Sequence, residues 1–323
     1  MKPFALIHAR SLAEAARATA RPDAELKAGG VDLLDRMKEG LDSPKTVVSI
    51  SRLQGHDGIE TGPPARVGAL ATLAKIATHP GLLKHYPALC EAAGGAATPQ
   101  IRNMATLGGN LCQRPRCWYY RLEEFDCRKK GGKDCFGKEG ENRFLAAFDS
   151  ELLCCCVHPS AAGTALMAYG ATLDVVSPGG KRSLPIEEFF LRPTHDATRE
   201  NTLKAGEIIE AVRLPVQPPG TRTVYRKLKE KESFDWPIVE TCARVTVAGG
   251  VIRDARVVFG SVAPTPHRAK AAESLLVGAS PSPELARRAA EAAVGDARPL
   301  SQTAYKVRLA RVELERALKA AFA

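Results

Sequence analysis

Two segments with paired glycines, placed shortly before a run of spaced cysteines, constrain this chain more than any other feature. The first segment is 27–33 (KAGGVDL) and the second is 101–110 (IRNMATLGGN). Paired glycines let a backbone approach a phosphate closely, and unpaired N–H groups at the start of a helix attract anions. Neither segment matches the dinucleotide fingerprint G-x-G-x-x-G or a P-loop. One glycine pair alone is usually a tight turn, but two of them favour a shared pyrophosphate site.

The cysteines form the second constraint. Cys117, Cys127 and Cys135 have the spacing C-x9-C-x7-C on a polar, glycine-rich stretch, and three contiguous cysteines follow at 154–156. An odd total of nine in 323 residues favours reduced thiols and a metal site over a disulfide framework. Zinc-ribbon knuckles of the type C-x2-C do not occur. Spacing alone leaves the fourth ligand open and leaves unrelated thiols as an alternative, and we expect Cys90, Cys112 and Cys242 to serve packing.

Charge and hydropathy exclude some classes of function. The chain carries 46 basic and 36 acidic residues, for a net charge of +10. The basic residues are scattered and aromatic residues make up 6%, so we expect no nucleic-acid partner. The charge fits a solvated surface or a face that meets an acidic partner. No apolar run reaches the roughly 18–20 residues of a membrane span, and no secretory signal is recognised. We therefore expect a cytoplasmic protein without a membrane partner; a periplasmic location would require export with a partner that carries the signal.

The order of predicted elements indicates an α+β protein of two domains. Residues 1–60 are predicted to form strand, helix, turn, helix and strand, and the segment VQPPGTR at 216–222 is a candidate linker. Beyond it, a β-meander precedes predicted helices at 267–277, 282–294 and 301–322. The stretch 112–153 lacks periodicity, and a loop of this length needs something to pin it. Four cysteines on a metal cluster would do so.

Longer motifs resemble a known family. They include AGGVDLL at 28–34, TPQIRNMATLGGNLCQRPRCWYYR at 98–121 and YRKLKEKESFDWPIV at 225–239. The chain resembles the FAD-binding medium subunit of the xanthine dehydrogenase (molybdenum hydroxylase) family nearly from end to end. The resemblance implies a FAD-binding fold of the vanillyl-alcohol-oxidase (PCMH) type over 1–215, with subdomains at about 1–55 and 56–215. A smaller α+β domain over 222–323 would be similar to the carbon monoxide dehydrogenase flavoprotein C-terminal domain.

The resemblance also implies which residues contact FAD. These are Lys27, Ala28, Gly29, Gly30, Val31, Asp32, Leu33, Ile101, Thr106, Gly108, Gly109, Asn110, Ile209 and Lys227. Where the family usually has an aspartate near the flavin, after Pro159 and Ser160, this chain has Ala161. We expect no catalytic residue, because no acid–base pair or nucleophile is evident, and we assign no chemistry to His158 or His195.

A subgroup of the family carries an additional 4Fe–4S cluster, as in periplasmic aldehyde oxidoreductases and 4-hydroxybenzoyl-CoA reductase. The insertion 112–156 resembles that subgroup. By this resemblance the cluster ligands are Cys117, Cys127, Cys135 and Cys154. The fourth is implied by Pro159, since in the subgroup the last cysteine lies five residues before a corresponding proline.

The implied function is electron transfer within a heterotrimer. The partners would be a large subunit with a molybdenum cofactor, a small subunit with 2Fe–2S clusters, and an external carrier such as ferredoxin. We expect a basic surface around residues 114–143 that favours an acidic carrier. Two alternatives remain: a stand-alone flavin oxidoreductase, which needs an acid–base group in its flavin pocket, and a metal-stapled protein that binds nucleic acid.

Overall fold

The N-terminal unit is a small parallel sheet with two helices. The computed structural model describes residues 1–62 and 64–323. The strands, in the order β1-β3-β2, and the helices are β1 (Ala5–His8), α1 (Leu12–Thr19), β2 (Ala24–Lys27), α2 (Val31–Lys38) and β3 (Thr46–Ser49). The predicted order of elements is confirmed, with β2 as an additional strand between the two helices. The side chain of Ser11 accepts a hydrogen bond from the Glu14 N–H and caps α1.

A five-stranded antiparallel sheet forms the frame of the second unit, in the order β4-β5-β8-β6-β7. Its strands are β4 (Ile59–Glu60), β5 (Ala65–Gly68), β6 (Thr172–Ser177), β7 (Gly180–Pro185) and β8 (Ile208–Leu214). Strands β6 and β7 form a hairpin, in which Ser177 and Gly180 are cross-strand partners. Strand β8 pairs with β5 along one edge and with β6 along the other, so it joins segments that are far apart in the sequence.

Short helices connect these strands and carry the glycine and cysteine motifs. They are α3 (Leu73–Ala77), α4 (Pro80–His85), α5 (Pro87–Gly94), α6 (Pro99–Met104), α7 (Leu107–Cys112), α8 (Trp118–Arg121), a 3-10 turn (Arg128–Lys130), α9 (Ala161–Tyr169) and α10 (Ile186–Phe189). Every residue of α9 is buried, because this helix packs between α5 and the sheet of the next domain. In the part of the chain that the structure describes, no helix is long and apolar enough to span a membrane.

The C-terminal domain is a four-stranded antiparallel sheet covered by three helices, in the strand order β12-β11-β10-β9. Its elements are β9 (Thr221–Leu228), β10 (Val239–Ala248), β11 (Val251–Gly260), β12 (His267–Arg268), α11 (Lys270–Leu276), α12 (Pro283–Ala292) and α13 (Ala304–Phe322). The prediction of a helix from residue 267 is wrong at its start. His267 and Arg268 pair with β11, and the helix begins only at Lys270.

The cysteine-rich insertion is held against this C-terminal domain by a buried lysine of α13. The Lys306 Nζ donates to the carbonyl oxygens of Phe144 (3.1 Å), Leu145 (3.0 Å) and Ser261 (2.8 Å). The insertion is therefore pinned from the C-terminal side by protein hydrogen bonds, which the sequence did not indicate.

Candidate cofactor sites

A cavity of about 820 Å³ lies where the N-terminal unit, α6, α7 and the loop after β9 meet. This volume is typical of a site for a large organic ligand. All fourteen residues that the resemblance assigned to FAD line the cavity: Lys27, Ala28, Gly29, Gly30, Val31, Asp32, Leu33, Ile101, Thr106, Gly108, Gly109, Asn110, Ile209 and Lys227. The fold thus brings both glycine segments to one cavity.

The first glycine segment joins β2 to α2 and presents free N–H groups. Gly30 precedes the helix with φ +79°, a conformation that favours glycine. Within residues 1–62 and 64–323, the N–H groups of Val31, Asp32 and Leu33 have no acceptor. A Cβ atom on Gly29 would lie 1.9 Å from the Met104 carbonyl oxygen, so only glycine lets α6 approach here. This segment fits an anionic group at the start of α2.

The second glycine segment is not the turn that the sequence predicted; it forms the first turn of α7. The Thr106 hydroxyl accepts from the Gly109 N–H at 3.2 Å, and the Ala69 carbonyl accepts from the Gly108 N–H at 2.9 Å. A Cβ atom on Gly108 would lie 3.1 Å from that of Ala69. Glycine is therefore needed here for close packing, since these two N–H groups already have partners.

The cavity is also lined by a buried acidic residue, Glu240, which the sequence motifs did not indicate. The Glu240 side chain accepts a 2.7 Å hydrogen bond from the Tyr225 hydroxyl, and the Thr164 hydroxyl lies 3.4 Å from its other oxygen. Burial raises the pKa of Glu240. Ala161, which also lines the cavity, starts the helix that carries Thr164. The sequence signal was a lone glutamate in an apolar strand, and it was overlooked.

Lys227 lies on β9 opposite Glu240, as its cross-strand partner. Its Nζ donates a 2.7 Å hydrogen bond to the Gly95 carbonyl oxygen. Burial lowers the pKa of Lys227. The lysine is therefore held at the cavity wall by the backbone of the segment before α6, rather than extending into solvent.

Six cysteines line a second, much smaller cavity: Cys117, Cys127, Cys135, Cys154, Cys155 and Cys156. The four predicted ligands are among them, so the fold gathers them as expected. The Cys135 and Cys155 sulfur atoms are 3.5 Å apart, so Cys155 competes with Cys154 as the fourth ligand on geometry. Hydrogen bonds from Cys154 and then Cys155 lower the pKa of Cys135 and favour its thiolate.

The thiol set fits an iron–sulfur cluster in donor type, since cysteine thiolates are the usual ligands of such clusters. The space between the thiols is about 10 Å³, room for about one water. Among the described residues, no three His, Cys, Asp or Glu side chains are arranged to hold a single metal ion. The sulfur atoms would have to move apart around a cluster, and the ligand assignment stays a prediction.

A chain of buried charges connects the two cavities. Lys129 lines the cysteine cavity and donates a hydrogen bond to Glu200 at 2.9 Å, and the Arg114 guanidinium forms an ion pair with the same carboxylate at 2.8 Å. Glu200 and Arg114 line the large cavity. One carboxylate therefore contacts cations from both sites.

The basic surface expected around 114–143 is partly neutralised. Arg116 forms an ion pair with Asp32 at 2.7 Å. Arg121 donates hydrogen bonds to Asp32 and Glu39, each at 2.9 Å. Burial alone would raise the pKa of Asp32, but the Arg116 guanidinium and the Arg114 N–H outweigh it, so its pKa is lowered. These arginines fasten the start of the insertion to α2 and contribute less exposed positive charge than their number indicates.

Two sequence families cover almost the whole chain. One, described as the FAD binding domain in molybdopterin dehydrogenase, matches residues 2–217, and the CO dehydrogenase flavoprotein C-terminal domain matches 223–321. The chain is 32% identical over 316 residues to the aldehyde oxidoreductase FAD-binding subunit PaoB of Escherichia coli (strain K12), covering 96% of both chains. It is 28% identical to the carbon monoxide dehydrogenase medium chain of Hydrogenophaga pseudoflava, covering 93% and 90%.

Solved structures support the same assignment. The fold is similar to carbon monoxide dehydrogenase from Hydrogenophaga pseudoflava lacking the Mo-pyranopterin moiety of the molybdenum cofactor, with a TM-score of 0.78 at 27% identity over 100% of this chain and 99% of that chain. Quinoline 2-oxidoreductase from Pseudomonas putida 86 shares the fold, with a TM-score of 0.76 at 24% identity over 100% of both chains. The α+β class is confirmed. The chain belongs to the FAD-binding medium subunits of the xanthine dehydrogenase and carbon monoxide dehydrogenase family, and it is the FAD-binding subunit of a molybdenum hydroxylase-type oxidoreductase.

Proposed function

We propose that this chain is an electron-transfer subunit that carries both FAD and one 4Fe–4S cluster. It would pass electrons between the 2Fe–2S clusters of a partner subunit and an external acceptor or donor. The observation that carries the proposal is the contact between the two cavities, where Glu200 accepts a hydrogen bond from Lys129 on the cysteine side and forms an ion pair with Arg114 on the flavin side. FAD and a cluster bound in these two cavities would lie on either side of these three side chains, an arrangement that favours direct electron exchange.

For FAD, the residues of the large cavity fit the group. Bound FAD supplies the chemistry of accepting two electrons and releasing them singly. The free N–H groups of Val31 to Leu33 would bind its pyrophosphate, because the start of α2 favours negative charge. Thr106 and Asn110 line the cavity from α7 and position its other wall.

For the cluster, we assign Cys117, Cys127, Cys135 and Cys154 as ligands. Cys127 and Cys154 are buried and Cys117 and Cys135 are half-buried, which limits exposure to oxidants, and the nearby Lys129 ammonium favours a negatively charged Cys154 thiolate. The Lys306 hydrogen bonds to residues 144 and 145 hold the same insertion on its other side. Both features support a loop built to hold a charged group in a fixed position.

The partners are inferred from relatives. Carbon monoxide dehydrogenase and nicotine 6-hydroxylase contribute relatives named medium chain and medium subunit, and these names describe parts of larger assemblies. We infer a molybdenum-cofactor large subunit, a 2Fe–2S small subunit and a ferredoxin-like external carrier, with the assembly in the cytoplasm. Nothing in this proposal requires nucleic acid.

The test compares cysteine variants in the assembled complex. We expect Cys127→Ser to keep full FAD content but to lose cluster iron and most of the ferredoxin reduction. Cys90→Ser is the matched control, because Cys90 is buried in the core of the FAD-binding domain rather than beside the other thiols. Wild-type ferredoxin reduction by the Cys127→Ser complex would exclude the cluster as the electron exit.

The isolated chain decides between the subunit and a stand-alone flavin enzyme. Glu240 is an acidic group of the kind that a stand-alone enzyme needs, so the alternative must be measured. We expect the FAD-loaded chain alone to turn over no aldehyde, purine or aromatic thioester. Turnover by the isolated chain would show that it binds the organic substrate itself.

A further inference from the structure

Glu240 is a buried carboxyl group on the wall of the flavin cavity, and both of its oxygens lie close to hydroxyl groups. The residue is 1% exposed. Tyr225 donates to one oxygen at 2.7 Å, and the Thr164 hydroxyl is 3.4 Å from the other. The nearest cation in register, Lys227, instead donates to the Gly95 carbonyl oxygen. A carboxyl group without a direct cation partner is costly to ionise in such a place.

The groups around Glu240 come from every element packed against it. Tyr225 and Lys227 lie on β9, Thr164 on α9 and Gly260 on β11. Cys242 lies on β10 together with Glu240, and Glu91 on α5 raises the pKa values of Tyr225 and Cys242. Burial has the largest effect and raises the pKa of Glu240, whereas Tyr225, Lys227 and Thr164 act in the opposite direction. The protonated form is therefore more favoured than in an exposed glutamate, and the carboxylate still has a hydroxyl donor and a nearby cation to stabilise it.

We propose that Glu240 is a proton donor to the bound flavin. This inference rests on the proposed function for the source of the electrons, but it requires only that FAD occupies the large cavity. Two electrons and two protons convert FAD to FADH2. The Glu240 O–H bond breaks and supplies one of these protons, the second comes from solvent, and solvent then reprotonates the carboxylate. The Tyr225 hydroxyl is a positioning group that holds the carboxyl against the cavity wall.

The experiment uses the full-length, FAD-loaded chain and dithionite as the electron source. Glu240→Gln keeps the shape of the side chain and an acceptor for Tyr225 but cannot give up a proton. The matched control is Glu313→Gln, because Glu313 is also buried but pairs with Arg226 on the C-terminal domain, away from the cavity. The measurements are FAD content, the infrared C=O band of protonated carboxyl groups, and the rate of flavin bleaching in water and in deuterium oxide.

We expect the wild-type chain to show a protonated-carboxyl band that Glu240→Gln lacks. We also expect that variant to bleach slower by on the order of tenfold or more, with Glu313→Gln unchanged in both respects. The proposal would be overturned if Glu240→Gln retained the band or bleached at a rate within about twofold of the wild type. Equal slowing in Glu313→Gln would overturn it too. If Glu240→Gln fails to bind FAD, Tyr225→Phe tests the proposal instead. The proposal requires that this variant shift the protonated-carboxyl band and slow flavin bleaching. Absence of FAD from the wild-type chain would contradict the proposed function as well, whereas FAD binding with unchanged variant spectra contradicts this inference alone.

Discussion

Lys129 donates a 2.9 Å hydrogen bond to Glu200, and the two side chains are only 4% and 6% exposed. Glu200 also forms an ion pair with Arg114, so the two ends of the Lys129–Glu200 pair are not equivalent. Removal of the acid leaves a buried ammonium without a carboxylate, whereas removal of the lysine leaves the acid paired. The contact therefore predicts an asymmetric response to substitution.

We expect Glu200→Gln to lower the free energy of unfolding by about 3 kcal/mol, because breaking a buried pair strands a charge. Lys129→Met should cost clearly less. Glu210→Gln is the control, since its partner Lys181 is 68% exposed and such a pair contributes under about 1 kcal/mol. Urea unfolding of the full chain measures all three. Equal losses in Glu200→Gln and Glu210→Gln would show that the bridge between the cavities is not a structural element.

The close approach of Gly29 to Met104 predicts a selective effect on FAD. A Cβ atom at Gly29 would lie 1.9 Å from a backbone oxygen, so Gly29→Ala must displace α6 from the cavity wall. We expect FAD content to fall well below one per chain. Gly58→Ala is the control, because nothing lies within 4 Å of the added carbon. The ratio of FAD to protein after desalting measures the effect, and full occupancy in Gly29→Ala would contradict the assigned wall.

The choice between Cys154 and Cys155 is open to direct measurement. We predict that Cys154→Ser loses the cluster and that Cys155→Ser keeps it, although Cys155 has the 3.5 Å contact with Cys135. Iron content and the electron paramagnetic resonance signal of the reduced, anaerobically purified chain report the outcome. Loss of the signal in Cys155→Ser alone would assign the fourth ligand to Cys155.

Local signals predicted the elements well, but tertiary contacts decided the details of the sites. The elements predicted for residues 1–60 rest on local signals: Ser11 caps α1, and the β-branched residues at 46–48 favour β3. The first turn of α7 differs from the predicted glycine turn because the Ala69 carbonyl, far earlier in the chain, accepts from the Gly108 N–H, whereas the Thr106 cap on the Gly109 N–H is a local contact.

Glu240 was missed for a related reason. An acid in the strand 239–248 is expected to face solvent, but α9 packs over this strand and buries it. Only the folded chain places Thr164 and Tyr225 at its carboxyl group. The register of three contiguous cysteines likewise cannot be read from spacing, because all three line one small cavity.

His158 predicts how stability depends on pH. Burial, followed by the nearby Lys129 charge, lowers its pKa to about 3, and its Nδ1 accepts from the Ser160 N–H at 3.2 Å. The folded chain keeps this imidazole neutral, whereas the unfolded chain protonates it below its ordinary pKa of 6.5. Its contribution to stability is therefore complete above about pH 6.5 and is lost as the pH falls towards 3.

We expect the wild type to lose up to about 1.4 kcal/mol more per pH unit than His158→Asn between about pH 6 and 4, since one proton separates the two states. Asparagine keeps an acceptor for the Ser160 N–H but does not titrate. His195→Asn is the control, because His195 is exposed, and it should follow the wild-type profile. Urea unfolding at a series of pH values measures the slopes. Parallel profiles for the wild type and His158→Asn would mean that this histidine is already protonated in the folded chain, or that acid opens the site before global unfolding.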